Sequence, residues 1–72
     1  MKLYAKGNLI RELMFYKGIN LHDLSSIINC SYSHLSYILN EQRPISPKLA
    51  KKIADYFETP IKEAFQIIEE VK

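Results

Sequence analysis

The sequence predicts an all-α domain of five short helices closed around one core. Three observations predict it. Apolar residues recur at three- and four-residue spacing along successive stretches, with no strand-like alternation. The stretches are separated by recognisable caps and breakers, at Gly18, Asn20, Ser31, Ser46–Pro47 and Thr59–Pro60. The chain has 72 residues, 47% of them hydrophobic, which suits a single packed domain over 1–72 with its core in 8–66.

The first helix is expected over Asn8–Lys17, with Ile10, Leu13, Met14 and the Lys17 stem on one side and Gly18 as the stop. Phe15 then falls on the opposite side, exposed. Asn20 caps a second helix over Leu21–Ile28, with Asp23 three residues on in a capping-box place. Ser31 caps a third over Tyr32–Leu39. The segment from Asn40 to Ser46 reads as a loop, because Pro44 disfavours helix at Arg43. Ser46 followed by Pro47 opens a fourth helix. Its inward residues are Leu49, Ile53, Tyr56 and Phe57, with Ala50 and Ala54 beside them and Lys48, Lys51, Lys52 and Asp55 outside. Thr59–Pro60 repeats the signal for a fifth helix running to Val71, with Ile61, Ala64, Phe65, Ile68 and Val71 as its stripe. No sheet is expected. The predicted core is Ile10, Leu13, Leu24, Ile28, Leu35, Ile38, Leu49, Ile53, Phe57, Ile61 and Phe65.

A single cysteine forms no intramolecular disulfide, and no Cys/His spacing suits zinc. A reducing cytoplasm is the expected setting. There is no long apolar run for a secretory signal or a membrane span. Neither histidine has a Ser, Cys or carboxylate at a spacing that suggests catalysis, and so small a domain holds no sizeable pocket. Neither an enzyme nor a cofactor is expected. The net charge of +2 is unevenly spread. Residues 1–52 hold eight Lys and Arg against three Asp and Glu, a net +5, whereas residues 53–72 have a net −3. A basic body with an acidic end suits a phosphate-facing side and a tail turned away from it; ordinary surface charge is the alternative.

The stretch LHDLSSIINCSYSHLSYILN (Leu21–Asn40) has the pattern of a helix-turn-helix. Leu24, Ile28, Cys30, Leu35 and Ile38 take inward places. Ser25 is small where the helices cross, and Asn29 stands at the turn, where Asn tolerates a left-handed backbone. In the DNA-binding version of this motif, the second helix enters the major groove.

These residues, with IREL (Ile10–Leu13), KGIN (Lys17–Asn20), LAKKIADYF (Leu49–Phe57) and TPIKEAF (Thr59–Phe65), resemble the lambdoid repressor and Cro type of helix-turn-helix domain, the XRE family. The resemblance covers Leu9 to about Phe65. It implies a five-helix fold, operator binding as a dimer and a role in transcriptional control, often on phages, plasmids and other mobile elements. It places Tyr32, Ser33, Ser36 and Tyr37 at base-facing positions, Ser31 and Asn40 near the backbone, and Gln42 and Arg43 in a phosphate-holding loop. Three departures stand out. Leu21 replaces a common Gln, Asn29 replaces the usual turn Gly, and the recognition helix has no Arg, Lys, Gln or Asn before Asn40. The side chains that pair bidentately with guanine or adenine are therefore absent from it.

Tyr32 and Tyr37 could offer hydroxyls to phosphates or base edges and rings to thymine methyls and sugars, or one could pack on a neighbouring helix. His22, in the first turn of the second helix, suits a phosphate or plain solvent. His34 reads either way as well. Cys30 reads as a core residue. Ile67, at the edge of the fifth helix's stripe, and Val71 are the candidate dimer contacts. The leading expectation is a small dimeric repressor of a pseudo-palindromic double-stranded operator, needing no cofactor. The rival is a protein-interaction module on the same fold, its Tyr-rich face holding an antirepressor or a toxin.

Overall fold

The structure, a computed structural model, describes residues 2–68. In chain order it contains β1 (Lys2–Ala5), α1 (Gly7–Lys17), α2 (Leu21–Ile27), α3 (Tyr32–Leu39), α4 (Pro47–Phe57), α5 (Ile61–Ala64) and β2 (Phe65–Ile68). The predicted N-caps of α2, α3 and α4 are in place. Asn20 Oδ1 accepts the Asp23 N–H at 2.9 Å and Asp23 Oδ2 accepts the Asn20 N–H at 3.0 Å, a complete capping box. The Ser31 and Ser46 hydroxyl oxygens accept from the N–H groups of His34 and Leu49, each at 3.2 Å.

α1 to α4 all end on one device. Gly18, Asn29, Glu41 and Glu58 take left-handed φ angles of 69°, 56°, 59° and 54°. The residue after each donates back to a carbonyl five residues earlier: Ile19 to Met14, Cys30 to Ser25, Gln42 to Tyr37 and Thr59 to Ala54, at 2.9–3.1 Å. These Schellman closures satisfy carbonyls that would otherwise be orphaned. Gly18 and Asn29 announce the conformation in sequence. Glu41 and Glu58 do not, because a bulkier side chain there is held by the closure and has no preference of its own for it.

The helical fold is as predicted, but the chain carries a small sheet and a shorter fifth helix. β1 and β2 pair antiparallel, with Lys2 opposite Ile68, Leu3 opposite Ile67, Tyr4 opposite Gln66 and Ala5 opposite Phe65. The backbone leaves the helix at Phe65, with φ −135° and ψ 158°. The β-branched Ile67–Ile68 pair suits a strand, and the N-terminal segment provides the partner that a purely helical reading left unpaired. Pro60, not Thr59, is the cap position of α5, and the Thr59 hydroxyl donates to the Phe57 carbonyl at 3.2 Å. Val71, the end of the predicted fifth helix, lies outside the described residues.

Ile10, Leu24, Ile28, Leu35, Ile38, Ile53, Phe57 and Phe65 are buried as predicted. Leu13, Leu49 and Ile61 are instead half-buried at the rim, and Cys30 joins them. Met14, Leu39, Ile45 and the alanines Ala5, Ala50, Ala54 and Ala64 complete the core. Phe15 stands out in solvent, 79% exposed. The Ile45 N–H on the Leu3 carbonyl ties β1 to the α3–α4 loop, and the Lys6 N–H on the Ala64 carbonyl ties the start of α1 to the end of α5, both at 2.8 Å.

Gly7, the first residue of α1, abuts the end of α3. A Cβ at this position would overlap the Leu39 carbonyl oxygen, which is backbone and cannot swing aside. Gly7→Ala is expected to cost about 1–3 kcal/mol through this overlap. Chemical denaturation measures it, and an unchanged midpoint would contradict the close approach.

Candidate nucleic-acid interface

α3 divides sharply between two faces. Leu35, Ile38 and Leu39 are buried, while Tyr32, Ser33 and Tyr37 are exposed and Ser36 is half-exposed between them. The four residues predicted to face bases thus share the outer side of one helix. Its inner side is fully used in packing, so neither tyrosine is taken into the core. Each ring instead has a surface partner. His22, at the start of α2, stacks on Tyr32 with ring centroids 4.1 Å apart and planes 22° from parallel. The Arg43 guanidinium sits 4.9 Å from the centre of the Tyr37 ring. Tyr32 and Tyr37 remain 44% and 45% exposed.

The turn after α3 explains the second pair. Glu41 in the left-handed region and the Gln42 N–H on the Tyr37 carbonyl fold the chain back toward the ring, and Arg43 follows at once. A guanidinium over a ring face is attracted by the ring's quadrupole. Gln42 is exposed in the same turn.

Ser31 is committed as the α3 cap, so its hydroxyl oxygen already accepts a backbone donor. Asn40 is committed in part. Arg11 of α1 reaches across to it, with Nη2 donating to Asn40 Oδ1 at 2.6 Å and Nη1 to the Leu39 carbonyl at 3.2 Å. A cation on the last carbonyls of α3 complements the negative end of that helix. Arg11 therefore holds the end of α3 against α1, a role that sequence reasoning missed: its partners lie 28 and 29 residues away, with no local signal. Ser25, buried where α2 meets α3, donates to the His22 carbonyl at 2.8 Å.

A basic groove of about 430 Å³ runs beside the helix-turn-helix turn, lined by His34, Lys48 and Lys52 with Cys30 at its edge. Burial pushes the Cys30 thiol above its ordinary pKa, which disfavours the thiolate. Lys51 points elsewhere, pairing with Asp55 at 3.1 Å on the exposed side of α4, a contact worth little. Among the described residues no group of His, Cys, Asp or Glu could hold a metal ion, and no helix is long and apolar enough to cross a membrane.

A protein-family model described as Helix-turn-helix matches residues 10–63, three quarters of the chain. The chain belongs to this helix-turn-helix family, of the XRE type that the sequence resembles. It is a DNA-binding regulator of that class. The match takes in α2, α3 and α4 whole, and both strands of the sheet lie outside it. No curated protein matches the chain.

Proposed function

We propose that this chain is a dimeric, sequence-specific repressor that acts in the cytoplasm on a pseudo-palindromic operator, of the kind carried by phages and mobile elements. The observation that carries the reading is the outer face of α3, where Tyr32, Ser33, Ser36 and Tyr37 stand clear of the core with His22 and Arg43 beside them. Base edges meet the helix face, while Arg43, Gln42, Asn40, Ser31 and His22 lie around it, where phosphates run. Occupancy of the operator excludes polymerase. Selection from a random duplex library at fixed salt tests the proposal. It should enrich a two-fold related sequence whose half-sites lie about one DNA turn, about 34 Å, apart.

Arg43 is the foremost phosphate contact in this reading. Arg43→Ala should weaken binding to both selected and scrambled duplexes and lower the salt slope by about one, with an added loss on the selected duplex because Arg43 also sits over the Tyr37 ring. A loss confined to the selected duplex would put Arg43 in the groove instead.

Ile67 supports the dimer. It is 61% exposed on β2 and lines two apolar grooves, of about 630 and 360 Å³, that share Leu3 and Ile61. A two-fold dimer uses one self-complementary patch on both copies, and an exposed apolar side chain beside apolar grooves is what such a patch needs. Ile67→Lys should therefore give monomers in sedimentation equilibrium with the helical spectrum intact. A dimer that survives this change would move the interface away from β2.

A further inference from the structure

We infer that α3 reads the C5-methyl groups of pyrimidines, thymine or 5-methylcytosine, through the rings of Tyr32 and Tyr37. This rests on α3 being the DNA-reading face. Between Tyr32 and Leu39 the helix has only hydroxyls and one imidazole as polar groups. It cannot make the bidentate pairs that distinguish guanine or adenine, and serine hydroxyls accept or donate to any base. What the face does offer is two aromatic rings. The pyrimidine C5-methyl is the apolar feature of the major groove, and a ring edge is its natural counterpart.

The rings are also held in place. His22 covers one face of Tyr32 and Arg43 sits over Tyr37, so both rings have a preferred orientation before DNA arrives. Each tyrosine nonetheless keeps close to half of its surface open to solvent. Ser33 and Ser36, small and between the two, let the helix approach the groove floor. Five residues of helix span about 7.5 Å. That is about two base-pair steps of 3.4 Å when the helix lies along the groove.

The test is equilibrium binding of the full chain to the selected duplex, with each thymine replaced in turn by deoxyuridine, which lacks only the methyl. Affinity should fall about three- to fivefold, the worth of one buried methyl, at two positions per half-site about two steps apart. At the same positions 5-methylcytosine should bind about three- to fivefold more tightly than cytosine. Tyr37→Phe should keep both methyl-sensitive positions, and Tyr37→Ala should abolish one and retain the other. If deoxyuridine binds as well as thymine everywhere while the selected duplex is still preferred over a scrambled one, base reading by α3 stands and methyl reading is overturned. If wild type does not prefer the selected duplex at all, the reading of α3 as the DNA face fails and takes this inference with it.

Discussion

Leu35→Ala is expected to cost about 2–5 kcal/mol of folding stability, measured by urea denaturation. Leu35 is fully buried on the inner face of α3, among the largest enclosed side chains of the chain. Truncation removes its transfer free energy and leaves a cavity that the surrounding helices close only in part. A domain of this length has on the order of 4–11 kcal/mol in all. The loss therefore takes a large share of the total, and the variant should be partly unfolded at ambient temperature. Because the same side chain fixes which way α3 faces, its loss should also blur the presentation of Tyr32 and Tyr37. A loss under 1 kcal/mol would mean that α3 is not packed as described.

Where a residue's role depends on its near neighbours, it was legible in the sequence. The capping box at Asn20 and Asp23, the caps at Ser31 and Ser46, the left-handed Asn29 and the inward stripe of α3 all express chemistry within four residues. The misreadings share the opposite property. Whether Phe65–Ile68 forms helix or strand depends on Lys2–Ala5, at the other end of the described chain, which supplies the pairing edge. Arg11 has its role only because α3 ends beside α1. The candidate site was legible only as a set of exposed positions on one helix. The pairing of His22 with Tyr32 and Arg43 with Tyr37 was not, since each joins residues from different elements. The Glu41 turn that brings Arg43 back over the ring has no sequence signature either.

Tyr37→Ala should separate specific from general binding. Tyr37 is exposed and outside the core, so the variant should keep its fold. In the proposed reading, removing the ring removes a base contact, and it also takes away the ring over which Arg43 sits. Discrimination between selected and scrambled duplex should fall by about 1–3 kcal/mol. Binding to scrambled DNA should change far less, because phosphate contacts position the protein and base contacts specify. Circular dichroism on the same sample shows whether the helices are intact. Equal losses on both duplexes would make Tyr37 a backbone contact.

The ratio of wild-type affinities for the selected and the scrambled duplex, taken at one stated salt concentration, tests the central claim most directly. A sequence-specific repressor should prefer the selected duplex at least a hundredfold, and the preference should shrink when Tyr32 or Tyr37 is truncated. Equal affinities, with only the salt-dependent term present, would contradict the claim. The Tyr-rich face of α3 would then belong to a protein partner.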